Sequence, residues 1–116
     1  MYEPNKSILK ANVQNDLAKH FNLKKLHPNT HLYTSNQLHP SFQGRIFSVS
    51  EQIKVNKKEL QAHLPDKKAN IITRNFPLSP SQLIKKLHII EGGDRYALAC
   101  TLGDGAKAIL ICHRVK

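Results

Sequence analysis

The sequence has few glycines, few acidic residues and few cysteines, and it has no long apolar run. Its five glycines, at positions 44, 92, 93, 103 and 105, form no glycine-rich turn between a strand and a helix. A nucleotide or S-adenosylmethionine site in a doubly wound fold needs such a turn, so we expect no cofactor site in this chain. No apolar run could span a bilayer, and the chain does not open on a secretory signal. We therefore expect a soluble, cytoplasmic protein.

The shortage of acidic residues makes the chain strongly basic. Eight Asp and Glu residues stand against 18 Lys and Arg residues, which gives a formal net charge of +10 over 116 residues. A field of this sign favours phosphate-bearing partners or an anionic membrane, and for a domain of this size nucleic acid is the commoner partner. The alternative is a solvent-exposed surface that is basic without a partner.

The two cysteines, Cys100 and Cys112, fall in a predicted hairpin around residues 103–105. Cys100 should lie opposite residue 108 or 109, which puts Cys112 about 10–13 Å away at the rise of a strand. A disulfide needs Cα atoms within about 7 Å, so we predict two free, buried thiols, no disulfide partner and a reducing compartment. The same distance argues against a two-ligand metal site.

Residues for catalysis or metal binding are not grouped in the sequence. The seven histidines are scattered, none lies in a nucleophile motif, and no carboxylate pair suggests acid–base chemistry. His27 and His31 are close, but Pro28 prevents a continuous helix through them, and we interpret them as turn residues. We predict no catalytic, cofactor-binding or metal-binding residue, and we do not expect a self-contained enzyme.

The first 40 residues predict a small helix–strand segment. Apolar residues recur every three or four positions over residues 4–21, which indicates a helix, with Asn22 as its C-cap. Residues 31–35 are rich in Tyr and Thr and predict a short strand. Residues 36–44 contain Pro40 and Gly44 among polar residues and predict a linker. We place the domain boundary there, with a first segment at 1–40 and a main domain at 41–116.

The main domain is predicted to have the order β-α-β-α-β-β and to be an α+β fold with a mixed sheet. The predicted elements are a strand from 45 to 50 or as far as 55, a helix from Asn56 to Pro65, a strand at 67–76, a helix to His88, a turn at 92–94, and strands at 95–102 and 106–115. Strands linked by helices should be parallel, with right-handed crossovers, and the last two strands antiparallel. Residues 108–112 are apolar at every position, which predicts a central last strand.

The second of these helices carries the strongest local signals in the chain. Ser79 is placed as an N-cap, Pro80 occupies the first helical position, and Gln82 completes a capping box. Leu78 and Leu83 form a hydrophobic staple around the cap.

Basic residues cluster near the ends of the predicted elements, where phosphate contacts are often made. The candidate RNA-binding residues are Lys54, Lys57, Lys58, Lys67, Lys68, Arg74, Asn75, Lys85, Lys86 and Arg95. Arg74 and Asn75 at a strand end could bind a phosphate or a base edge, with structural hydrogen bonding as the alternative. For Lys85 and Lys86 the alternative is a solvated helix face.

Several uninterrupted runs resemble a known family. The runs ITRNFPLS at 72–79, EGGDRY at 91–96, TLGDG at 101–105 and ICHR at 111–114 resemble the THUMP-like C-terminal domain of bacterial class I S-adenosylmethionine-dependent methyltransferases. The runs YEPN at 2–5, ILKA at 8–11 and KLHPNTHLYTS at 25–35 resemble the ferredoxin-like segment that precedes that domain. Together these runs extend over nearly the whole chain.

The resemblance implies that this chain is the noncatalytic tail of an RNA methyltransferase. In that family a catalytic Rossmann domain comes first, so Met1 would begin a piece of a longer protein, and S-adenosylmethionine would bind to the missing part. The implied function is to dock structured RNA, such as transfer or ribosomal RNA, for the upstream catalytic domain. The alternative is a structural or interaction domain that packs on the catalytic domain or mediates self-association.

Overall fold

The protein forms one mixed sheet with two helices in the part that can be described. The structure is a computed structural model, and it describes residues 1–5, 19, 21, 23–27, 30–35, 38–42 and 44–115. The elements are β1 (Tyr2–Pro4), β2 (Lys24–His27), β3 (Thr30–Thr34), β4 (Gly44–Ile53), α1 (Lys57–His63), β5 (Lys68–Arg74), α2 (Pro80–Leu87), β6 (Ile90–Thr101) and β7 (Lys107–Arg114). No helix of the described residues is long and apolar enough to cross a membrane.

The seven described strands follow the order β2-β3-β1-β4-β7-β6-β5. Strand β4 joins the two halves of this sheet, because its first residues pair with β1 and the rest pair with β7. The register of β4 shifts between Val49 and Glu51, and there the Ser50 hydroxyl donates to the Ile111 carbonyl oxygen at 3.0 Å. The N-terminal strands are thus held directly against the first strand of the main domain.

The predicted α+β fold is confirmed. From β4 onwards the order is β-α-β-α-β-β, the helix-linked strands β5 and β6 are parallel, and β6 and β7 are antiparallel. Strand β7 lies between β4 and β6, with five consecutive buried residues. The continuous apolar run therefore did indicate a central strand.

Both helices begin at the predicted caps. The Asn56 side chain accepts hydrogen bonds from the backbone N–H groups of Lys58 and Glu59, at 2.8 and 3.2 Å. Ser79 and Gln82 form the reciprocal capping box, with donor–acceptor distances of 3.2 and 2.8 Å. These bonds satisfy N–H groups that the first turn of a helix leaves without partners.

Each face of the main sheet is covered by a different part of the chain. On one face, Leu60, Leu83 and Leu87 of the helices pack against sheet residues such as Ile71 and Ile109. On the other face, a cluster around Leu98, Cys100, Leu110 and Cys112 is covered by Met1 and Leu32 from the N-terminal strands. The first 40 residues therefore complete the core of the main domain.

Two N-terminal strands were not predicted, and one predicted helix boundary is wrong. The helix was expected to begin at Pro4, but Pro4 is the last residue of β1 and pairs with Gly44. The rest of the helix predicted over 4–21 falls almost wholly outside the described residues. The strand predicted at 31–35 is confirmed as β3, and β2 precedes it at Lys24–His27.

The turn predicted at residues 92–94 is instead an irregularity inside β6. The register jumps from Ala69 opposite Glu91 to Asn70 opposite Tyr96, so four residues of β6 have no partner on β5. The Asn70 side-chain amide donates to the carbonyl oxygens of Gly93, at 2.9 Å, and residue 95, at 3.1 Å. The expectation of positive φ at these glycines is correct, with 129° at position 92 and 80° at Gly93.

The hairpin prediction is confirmed by its register. Cys100 lies opposite Ala108, so Cys112 is four residues further along β7. Both thiols are free and buried, as predicted. Burial raises the pKa of Cys100 to about 11 and that of Cys112 to about 12.

Candidate functional site

A buried carboxylate on β1 holds two arginines from different strands. Glu3 lies opposite Arg45 in the pairing of β1 with β4, and Arg74 is the last residue of β5. The Glu3 side chain is only 8% exposed, whereas those of Arg45 and Arg74 are 30% and 40% exposed. One carboxylate therefore joins the N-terminal strands to the far edge of the main sheet.

The hydrogen bonds of this cluster fix both guanidinium groups. Arg45 donates to Glu3 Oε1 from Nε at 3.0 Å and from Nη2 at 2.5 Å. Arg74 donates from Nη2 to Glu3 Oε1 at 3.2 Å and from Nε to Glu3 Oε2. A further bond of 2.8 Å joins Arg74 Nη1 to the Thr73 carbonyl oxygen.

Aromatic packing also holds the Arg45 guanidinium in place. Its guanidinium carbon lies 5.4 Å from the centre of the Phe47 ring, and the Phe47 ring contacts the Tyr96 ring edge-on with centres 5.3 Å apart. A cation over a ring face is attracted by the ring quadrupole. The guanidinium is thus held by Glu3 and by a buried ring.

Gly44 permits the close approach of β1 to β4 at this point. A Cβ atom at position 44 would lie 2.0 Å from the carbonyl oxygen of Glu3, so any side chain there would push the strands apart. The arginine cluster therefore depends on a glycine at this position.

The cluster forms one side of a groove of about 750 Å³. Its lining residues are Glu3, Pro4, Asn5, Gly44, Arg45, Arg74 and Arg114. Three guanidinium groups against one carboxylate leave these residues with a net charge of +2. Guanidinium groups bind phosphate and carboxylate oxygens through paired N–H donors, so the groove is suited to an anion.

Comparison with known proteins identifies the family of the chain. Residues 44–114 match the model of a family described as THUMP domain-like. The chain belongs to this THUMP-like family. Residues 1–42 match the model of a ferredoxin-like domain, so the groove of the THUMP-like domain is completed by residues 3–5 of the preceding segment. No curated protein matches the chain.

A solved structure is similar over almost the whole chain. A crystal structure of a "putative methyltransferase" from Porphyromonas gingivalis W83 is 37% identical, with a TM-score of 0.90. The match covers 99% of this chain and 29% of that one. The chain thus spans less than a third of the length of this relative. The family inferred from the sequence runs is confirmed.

Of the residues predicted to bind RNA, only Arg74 lies in the groove of the THUMP-like domain. Its bonds to Glu3 are structural hydrogen bonds, the alternative to RNA binding that the sequence leaves open for Arg74. Asn75 follows it with a φ of 52°, and its carbonyl oxygen accepts a bond of 2.5 Å from the Thr101 hydroxyl. Arg95 Nη1 donates to the His63 carbonyl oxygen at 2.9 Å, near the end of α1.

The predicted lysines of the THUMP-like domain are all exposed and fall into two groups. One group lies where β4 ends and α1 begins, and consists of Lys54, Lys57 and Lys58. The other lies at the opposite end of the sheet, where β5 begins and α2 ends, and consists of Lys67, Lys68, Lys85 and Lys86. The structure does not gather the lysines into one patch, and their contact with RNA stays a prediction.

Three residues of the groove were missed by sequence reasoning. Glu3, Arg45 and Arg114 come from β1, β4 and β7, and Glu3 is 71 residues from Arg74 in the chain. No local pattern links residues so far apart. The only sequence signal was that the runs containing Glu3, Arg74 and Arg114 belong to the same family resemblance.

Proposed function

We propose that this chain is the RNA-docking region of an S-adenosylmethionine-dependent methyltransferase. In this proposal the chain is noncatalytic, binds a structured RNA such as transfer or ribosomal RNA, and presents it to a catalytic domain on the same polypeptide. That domain would bind S-adenosylmethionine, and no residue of this chain is assigned to the cofactor. The proposal places the protein in the cytoplasm.

The observation that carries the proposal is the high positive net charge of this THUMP-like chain. The net charge of +10 is spread over 116 residues, and the lysines named above are all exposed. Charge of this sign releases counterions from a nucleic acid on binding, which supplies affinity without sequence preference. The similar "putative methyltransferase" is more than three times as long as the part of it that matches this chain. This extra length supports a docking role beside a catalytic domain.

A groove with two exposed apolar side chains favours a second function, as an interaction domain. Leu38 and Val115 are 61% and 52% exposed, and they line a groove of about 300 Å³ together with Met1 and Ile46. Exposed apolar patches often mark protein contacts. In this alternative the groove packs on the catalytic domain or on a second copy, and RNA is not bound.

Fluorescence anisotropy of the purified chain with labelled polymers separates the two functions. The polymers are bulk transfer RNA, ribosomal RNA fragments and duplex DNA, each at low and at near-physiological salt. RNA docking predicts that one structured RNA stays bound at the higher salt more tightly than the duplex DNA. Weak binding that is equal for all three polymers and disappears at the higher salt would mean that the positive charge gives only nonspecific electrostatic binding. That result would refute docking.

A further inference from the structure

We infer that the groove between β1, β4, β5 and β7 is the site where the sugar–phosphate backbone of the RNA binds. In this site Arg45 and Arg114 contact phosphate oxygens, and Glu3 is a positioning residue. The inference rests on the proposed function, and it differs from the sequence prediction, which placed most contacts on exposed lysines.

Fixed donors are the first reason to choose this groove. The carboxylate of Glu3 accepts hydrogen bonds from two guanidinium groups, and the Phe47 ring lies under one of them. Arg45, which is held in this way, loses little conformational freedom when a phosphate binds, and the exposed Arg114 adds a second guanidinium to the same groove. The lysines at the ends of the sheet are exposed, and each carries a compact ammonium charge on a flexible side chain. Fixing such a side chain against a phosphate costs more conformational entropy.

Excess charge is the second reason. A cluster that served only to join β1 to the main sheet would need one arginine for the one carboxylate. Here Arg45, Arg74 and Arg114 line the same groove with Glu3, which leaves a net charge of +2. Arg114 is exposed, and the side chains of Arg45 and Arg74 are partly exposed. Among the described lining residues positive charge is thus in excess of negative charge, which favours a polyanion as the ligand.

The shape of the groove indicates which part of RNA it takes. Its volume of about 750 Å³ leaves room for a nucleotide-sized group. None of the described lining residues is aromatic, so these residues offer no ring on which a base could stack. Sugar–phosphate contacts fix the position of a nucleic acid without reading its sequence. The groove therefore positions the RNA, and the choice of target base is left to the catalytic domain.

The test compares two substitutions that each remove one positive charge. Arg114→Gln changes the groove, and Lys85→Gln changes the exposed last turn of α2. We expect Arg114→Gln to weaken RNA binding about tenfold and to reduce the slope of log affinity against log salt by about one. Lys85→Gln should weaken binding by less than about twofold. Thermal unfolding of both variants checks that they fold.

A third variant separates the contribution of the paired N–H donors of the guanidinium from the contribution of its charge. Arg114→Lys keeps the charge and removes the paired N–H donors, so it should bind RNA more weakly than the wild type and more tightly than Arg114→Gln. Equal losses for Arg114→Gln and Lys85→Gln would overturn the inference and leave RNA docking intact, because binding would then depend on overall charge.

A measurement without RNA tests whether the groove binds phosphate, independently of whether the chain docks RNA. Inorganic pyrophosphate is titrated into the isotope-labelled chain, and the Nε–H signals of the arginines are followed by nuclear magnetic resonance. Saturable shifts at Arg45 and Arg114 support the groove even if no RNA binds. Shifts that are absent, or equal at Arg95 outside the groove, overturn it.

Discussion

Replacing Glu3 by glutamine tests whether the buried carboxylate holds the two halves of the sheet together. The substitution keeps the size of the side chain and one acceptor oxygen, but it removes the negative charge and turns one oxygen into an N–H donor. Glu3 Oε1 accepts bonds from both Arg45 and Arg74, and Oε2 accepts one from Arg74. Whichever way the amide is turned, an N–H group then faces at least one guanidinium donor.

The size of the effect follows from the exposure of the partners. Removing one member of a fully buried ion pair costs about 3–5 kcal/mol, because the other charge is left without a partner. Here the arginine side chains are 30% and 40% exposed, so water partly replaces the lost carboxylate. We expect a loss of about 2–4 kcal/mol in the free energy of unfolding. For a chain of this length, each kcal/mol lowers Tm by about 4 °C.

Thermal unfolding followed by circular dichroism measures this change, with Glu91→Gln as the matched control. Glu91 is exposed near the start of β6, so the control removes the same charge from a chain of high positive charge without touching the cluster. The control should change the free energy of unfolding by less than about 0.5 kcal/mol. If both variants unfold at the same temperature, the cluster does not hold β1, and our account of the site is wrong.

Three further substitutions test other parts of the fold. Gly44→Ala should lower the free energy of unfolding by about 3 kcal/mol or more, because its Cβ would lie 2.0 Å from the Glu3 carbonyl oxygen; an unchanged urea midpoint would contradict this. Ser79→Ala should cost about 1 kcal/mol through loss of the capping box, whereas Ser81→Ala in the same helix should be neutral or slightly stabilising; equal midpoints would argue against the cap. The raised pKa of Cys112 means that its native thiol keeps a proton that the unfolded chain releases above about pH 9, so stability should fall from pH 9 towards pH 12. Cys112→Ala should make that fall shallower in urea titrations at each pH, and an unchanged pH slope would refute the assignment.

The elements that could be predicted from sequence are those specified by neighbouring residues. The helix at Pro80–Leu87 has its cap, its first proline and its capping-box partner within four positions, and all of them form as predicted. The central strand was evident because five successive residues are apolar. In each case the physical cause lies within one short stretch of the chain.

The elements that escaped prediction depend on partners far away in the chain. Strand β1 has three residues, too few to show an alternating pattern, and it is a strand because it pairs with β3 and β4. The sequence indicates a turn at the irregularity in β6, because positive φ at Gly93 is compatible with both structures. Its true nature depends on Asn70, more than 20 residues away, which bonds the Gly93 carbonyl oxygen. The arginine groove was missed for the same reason, since its residues come from four strands.

The central position of β7 sets the order of events when this protein is synthesised. Strands β4 and β6 do not pair with each other, and each bonds to β7 instead. Until the ribosome has released residue 114, both strands have an unpaired edge, and the apolar side chains between them are without their central layer. The main sheet can therefore close only after β7 has left the ribosome, and until then chaperones that bind exposed strand edges can act on β4 and β6.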